Sequence, residues 1–133
     1  MPNTSIATIT ADVPKYIDPR THAVLDYLTA AGFIALGISM LGQHSRASAL
    51  AFANGAAVLG LSLMTDYPGG VFRKISFKTH GAIDALQAAM TATGPMLLGF
   101  AGDAEAQPFH AQAVVEAGVI AATDWNAENI VNA

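Results

Sequence analysis

His22 and Asp26 lie four residues apart, and so do His80 and Asp84. On a helix that spacing puts both side chains on one face, where a carboxylate can accept the imidazole N–H or share a cation with it. The two pairs are separated by 58 residues, and the same 58 separates Thr65-Asp66-Tyr67 from Thr123-Asp124-Trp125. Imidazole and carboxylate together suit Zn, Fe or Mn. Inside a membrane, ionisable groups of this kind also serve as proton relays, and an axial imidazole can hold a haem or chlorin. The candidate polar cluster is therefore His22, Asp26, His80, Asp84, Asp66 and Asp124, with His22, His80, Asp26 and Asp84 as candidate metal ligands. A divalent metal or a haem or chlorin is compatible with this set, and none is required. The plainer chemistry is structural: paired His and Asp act as polar glue between helices. On that reading Asp66 and Asp124 satisfy turns, and Tyr67 and Trp125 sit as interfacial aromatics.

The elements that must position these groups are read from the scarcity of charge. The chain has 133 residues, of which 12% are charged and 53% hydrophobic, with a mean hydropathy of +0.42. Soluble domains carry about twice that share of charge. The composition excludes a disordered chain, and the six Lys and Arg residues are too few for a phosphate-tracking surface, so no nucleic acid is expected. Without cysteine, disulfides and thiolate sites are excluded. Four apolar stretches, Ala23–Gly42, Ala47–Met64, His80–Gly102 and Phe109–Thr123, lack the alternation of strands and predict helices. The first three approach the roughly 20 residues that span a bilayer. The expected fold is all-α, with four transmembrane helices.

Residues 1–18 read as a polar N-terminal tail without a signal peptide's basic start and apolar centre. Four crossings place Lys15, Arg20, Arg73, Lys74 and Lys78 on one side and Arg46 alone on the other. That bias puts both termini in the cytoplasm.

A shift of 58 superposes the chain on itself. Thr21-His22 to Asp26 and Leu28 lie over Thr79-His80 to Asp84 and Leu86, and Gly60 to Tyr67 lies over Gly118 to Trp125. The expected units are a first hairpin over 19–76, a second over 77–125, and a C-terminal tail over 126–133. Both copies would insert in one orientation, so a pseudo-twofold axis should run along the membrane normal. The rows Ala47, Ala51, Gly55 and Ala49, Ala53, Ala57 offer small-residue faces for close helix contact. Asn54 and Gln112 coincide in the repeat and are expected to bond across the second and fourth helices. Glu116, whose mate is Val58, is expected to bond to such a group, and His44 to be solvated in a loop.

The Lys78-Thr79-His80 to Asp84 start, the Gly94-Pro95-Met96-Leu97-Leu98-Gly99-Phe100 segment, Thr65-Asp66-Tyr67, and Phe109-His110 with Glu116 resemble the SPW-repeat type of small bacterial integral membrane proteins. The resemblance covers about residues 19–124. At the positions of the Ser-Pro-Trp triplet this chain has Gly94-Pro95-Met96 and Gly37-Ile38-Ser39. The resemblance implies a four-helix membrane fold in a bacterial inner membrane and supplies no activity.

No phosphate loop or Ser-His-Asp order is present. The expected function is a non-catalytic accessory or structural subunit of a larger membrane complex. Its partners would be the bilayer and other membrane subunits, met through the tail and the small-residue faces. One alternative is a metal-, pigment- or proton-handling protein using the paired His-x-x-x-Asp motifs. Another is a soluble helical-bundle enzyme.

Overall fold

Asp18 begins the first helix by accepting the Thr21 amide on its carboxylate at 2.7 Å, with Pro19 in the first turn where its missing N–H costs nothing. That bond also holds the Asp18 carboxyl below its usual range. Fifty-eight residues on, Ser76 accepts the Thr79 amide at 3.1 Å and starts a second long helix. The computed structural model describes residues 13–127. Helix α1 is Pro19–Ser39, α2 Ser45–Met64, α3 Phe77–Leu97 and α4 Gln107–Ala122, with a short 3-10 turn at Ala104–Ala106. The chain is all-helical over the described residues, apart from two isolated bridges. Most of the tail taken as a docking segment (residues 1–12), and residues 128–133 of the C-terminal tail, lie outside them.

The helices run up, down, up, down. α1 packs most extensively on α2, and α3 on α4, while contacts between the two hairpins are sparser. The α1–α2 seam is made by small residues. A Cβ on Gly55 would come within 2.9 Å of the Ile34 side chain and 3.3 Å of the Ala30 carbonyl oxygen. Ala47 and Ala51 continue that row in the core, whereas Ala49, Ala53 and Ala57 face outward. Only one of the two small-residue rows therefore joins helices within the chain. Ser48 Oγ donates to the Gly37 carbonyl at 2.8 Å and ties the start of α2 to the end of α1.

At the α1–α2 turn end the core is aromatic. Phe33 stacks on Phe109 at 6.2 Å between centroids, and Phe100 meets Phe109 edge-on at 5.7 Å. Arg46 Nη1 donates to the Leu98 carbonyl at 3.1 Å, a cation on the carbonyl end of α3. His44 is exposed, as expected, and also sits 3.2 Å from Glu105, linking the two loops at this end.

The opposite end carries matched joints. Asp66 N donates to the Ile75 carbonyl at 2.7 Å, and Asp124 N donates to the Ile17 carbonyl at 2.9 Å. Each joint sets the end of an even-numbered helix beside the segment leading into an odd-numbered one, in parallel pairing. Positions 17 and 75, and 66 and 124, differ by 58. The second joint closes the ring of helices, because it brings the two ends of the described chain together.

By length and composition, α1 and α2 are long and apolar enough to cross a membrane. α3 matches α1 with 21 residues but is less apolar. α4 has 16 residues and at 1.5 Å per residue reaches only about 24 Å. The expectation of four apolar spans is thus met by two helices. The difference comes from Thr79, Asp84, Gln87, Thr91 and Thr93 along α3 and from the early end of α4 at Ala122.

Candidate metal centre

His22 and His80 enter in the first turns of α1 and α3, and both are fully buried. Asp26 and Asp84 follow one helical turn on. The structure interlaces the two pairs rather than keeping each on its own helix. His22 Nε2 is 2.9 Å from Asp84 Oδ2 on the other hairpin and 3.3 Å from Asp26 Oδ1 on its own helix. His80 Nε2 is 3.1 Å from both Asp26 Oδ2 and Asp84 Oδ2. One ligand atom from each of the four residues can be chosen so that all lie within 4.8 Å of one another.

The outer ring nitrogens are fixed by threonines. Thr65 Oγ1 donates its one hydrogen to the Leu61 carbonyl at 2.6 Å and so presents a lone pair to His80 Nδ1 at 2.7 Å. Thr123 Oγ1 does the same, donating to the Val119 carbonyl at 2.6 Å and lying 2.9 Å from His22 Nδ1. Both Nδ1 atoms must therefore be the N–H donors, an assignment that follows from the hydrogen-bond network. His22 Nε2 donates to Asp84 Oδ2 at 2.9 Å, so that ring carries a proton on both nitrogens, and an ion would take the place of the Nε2 proton. In a neutral ring the Nε2 lone pair is aimed between the carboxylates. His80 Nε2 makes no hydrogen bond of acceptable geometry, although it is buried and two carboxylate oxygens are close. That position suits a shared cation better than a proton on one N···O line.

An aromatic wall closes over the four groups. Tyr67 is fully buried, and its hydroxyl donates to Asp26 Oδ2 at 2.9 Å. Burial first, and the neighbouring Asp26 charge after it, push the Tyr67 phenol upward, so it remains a donor at any workable pH. Phe77 lies 5.5 Å from the His22 ring and 4.8 Å from Trp125, between centroids. Trp125 meets His22 at 4.8 Å, and its Nε1 donates to the Ile120 carbonyl at 3.0 Å. Gly81 makes room for this, since a Cβ there would stand 2.9 Å from the indole. Tyr67→Phe removes the phenol's bond to a charged acceptor. The expected cost is about 1.5–3 kcal/mol, read as a lower unfolding midpoint in detergent; an unchanged midpoint would contradict the role given to that bond.

The six-residue cluster expected from sequence is thus reduced to four. Asp66 is exposed and lies 3.7 Å from Arg73. Asp124 Oδ1 accepts the Asn126 amide at 3.0 Å, as a turn-satisfying Asp does. Tyr67 is a correction: it turns inward instead of lying in an interfacial belt. The Asn54–Gln112 bond is replaced as well. Gln112 Nε2 points to Thr29 Oγ1 at 3.5 Å, and Asn54 Nδ2 has no partner. Thr65 and Thr123 are the functional residues that sequence reasoning passed over. Their signal was present, since both recur in the 58-residue register beside the aspartates. Phe77 carried no such signal, because its repeat mate is Pro19.

Comparison with protein-family models, with curated proteins and with solved structures finds no match, so the chemistry of the site rests on its own geometry.

Proposed function

We propose that this chain is a small, non-catalytic integral membrane protein that binds one divalent transition-metal ion between two helical hairpins, on His22, Asp26, His80 and Asp84. The observation that carries the reading is the convergence of two threonine-fixed imidazoles and two carboxylates, with His80 Nε2 buried and unbonded among them. Metal–ligand distances of about 2.0–2.1 Å put tetrahedral ligand atoms about 3.3 Å apart. The nitrogen–oxygen separations here run from 2.9 to 3.3 Å, counting both Asp26 oxygens, and a set of one atom from each residue lies within 4.8 Å, so ion binding would draw the widest pair together. Two neutral imidazoles and two carboxylates carry a charge of −2, which a divalent ion neutralises. The nitrogen–oxygen donor set suits Zn²⁺, Fe²⁺ or Mn²⁺.

Four protein ligands fill a tetrahedral ion and leave no open position for substrate, which favours a structural ion over a catalytic one. The ion would clamp the hairpins at the end where their mutual contacts concentrate polar groups. Threonine hydroxyls behind both imidazoles act as the outer layer that orients such ligands. Thr65→Val and Thr123→Val are each expected to weaken Zn²⁺ binding about 10–100-fold, with Thr→Ser restoring most of it. Calorimetric titration of the purified protein checks this, and equal affinity in the valine variants would contradict it.

The membrane reading is supported by the length and composition of α1 and α2 and by the outward large apolar residues of α1, α3 and α4, among them Leu28, Ile38, Leu86 and Val114. The matched joints and matched His–Thr contacts support a duplicated hairpin about a pseudo-twofold axis along the membrane normal. The resemblance to SPW-repeat proteins is consistent with that reading. On this arrangement Lys15, Arg20, Arg73, Lys74 and Lys78 share the cytoplasmic side with the metal site. Because the chain has no cysteine, single cysteines report topology directly. Cysteine at Asp66 or Lys74 should react with a membrane-impermeant maleimide only after the cell is opened, and cysteine at Gln43 in intact spheroplasts. The reverse pattern would overturn the orientation, and release of the protein by carbonate washing would overturn the membrane assignment. An accessory role in a larger complex remains part of the proposal, and co-purification of a stoichiometric partner in mild detergent tests it.

A further inference from the structure

Beneath the metal ligands lies a cavity of about 30 Å³ with Asp26 and Asp84 at its rim and Thr29, Gln87, Gln112 and Glu116 beyond them. A volume of that size holds one or two water-sized particles and no hydrated ion. Thr91 Oγ1 donates to the Gln87 carbonyl at 3.0 Å and stands 3.4 Å from Glu116 Oε1, while Glu116 Oε2 is buried and has no hydrogen bond. The residues around the cavity include no Lys, Arg or His. A carboxylate at this depth without a counter-charge is costly. The surrounding donors are carboxylate, amide and hydroxyl oxygens, the set that hard cations take, in contrast to the nitrogen–oxygen set above it.

We infer that this cavity is a second cation site, in which Glu116, with the amide and hydroxyl oxygens of Gln87, Gln112 and Thr29, holds one dehydrated monovalent cation of sodium size. The inference rests on the membrane placement proposed above, and it assigns the Asp26 and Asp84 charges to the metal ion. Glu116 then supplies the single remaining negative charge, which fixes the valence at one. The charge of the site belongs to the second hairpin alone, because the position matching Glu116 is Val58 and the position matching Thr91 is Phe33. It is an addition to the matched framework and not a consequence of it.

The test is equilibrium binding of radioactive sodium to the full chain in detergent, with one equivalent of Zn²⁺ on the upper ligands so that the Asp26 and Asp84 charges are neutralised. Saturable binding of one Na⁺ per chain is expected, about tenfold or more weaker in Glu116→Gln. Glu116→Gln keeps the shape of the side chain; Thr91→Val, which spares the carboxylate, should change the affinity less. Absence of saturable sodium binding, or binding indifferent to Glu116→Gln, would overturn the inference. So would an infrared carboxylic-acid band that persists at saturating sodium and disappears in Glu116→Gln, because it would show a proton in the cation's place. Zinc titration of the same preparation separates the two proposals. Zinc binding without sodium binding removes this site alone, whereas absence of zinc binding removes the upper site and, with it, the valence assigned here.

Discussion

Replacing His80 with alanine is expected to abolish measurable zinc binding at micromolar protein, and His22→Ala to do the same. Structural Zn²⁺ sites contribute about 10–16 kcal/mol through four ligands, so one ligand lost costs on the order of 100-fold or more in affinity. His80 is the more informative of the two, because its Nε2 lies 3.1 Å from both carboxylates and makes no hydrogen bond in the absence of an ion. Asp26→Asn and Asp84→Asn remove charge while keeping shape, and should weaken the ion's hold without removing the side chains that pack there. Ligand imidazoles must be neutral, so zinc affinity should fall as pH drops into the range where histidine protonates. Titrations in buffers of different ionisation enthalpy should show proton release on binding. A His80→Ala variant with undiminished zinc affinity would mean that the ion binds elsewhere.

The second large effect is expected at the α1–α2 seam. Gly55→Leu places a Cβ 2.9 Å from the Ile34 side chain and 3.3 Å from the Ala30 carbonyl oxygen. Ile34 can shift, but the backbone of α1 can give way only by moving the helix. The expected loss is about 1–3 kcal/mol or more; with the membrane placement proposed above, close backbone approach replaces the hydrophobic effect as the source of helix association. Gly60, whose added Cβ would meet nothing within 4 Å, is the control on the same helix. Denaturant unfolding in detergent should show a clear drop for Gly55→Leu and little change for Gly60→Ala. Equal midpoints would contradict the close-packed seam.

The helices and the four residues of the candidate metal site were legible in the sequence for related reasons. Apolar runs of this length without alternation have few structures open to them, and Asp18 and Ser76 mark where two of the helices start. The His and Asp residues recur at four-residue spacing and again 58 residues later, so a periodic reading finds them. Hairpin packing decides the rest. A four-residue spacing suggests that His22 pairs with Asp26, yet its shortest contact is with Asp84, and only the crossing of α1 and α3 brings those groups together. Thr65 and Thr123 repeat as faithfully as the neighbouring aspartates, but their role depends on a hydroxyl turning back to the preceding helical turn. Tyr67 reads as an interfacial aromatic until the loop after α2 folds it over Asp26. Glu116 could be recognised as unusual in an apolar helix, while the cavity it faces arises from four helices at once.

X-ray absorption at the zinc edge, on the purified chain loaded with one equivalent of Zn²⁺, tests the metal assignment most directly. The expected spectrum shows four light-atom neighbours at about 2.0–2.1 Å, with imidazole outer-shell scattering from two rings, and loses one ring in His80→Ala. A spectrum of hydrated six-coordinate zinc, or one in which no imidazole is present, would contradict the site on His22, Asp26, His80 and Asp84.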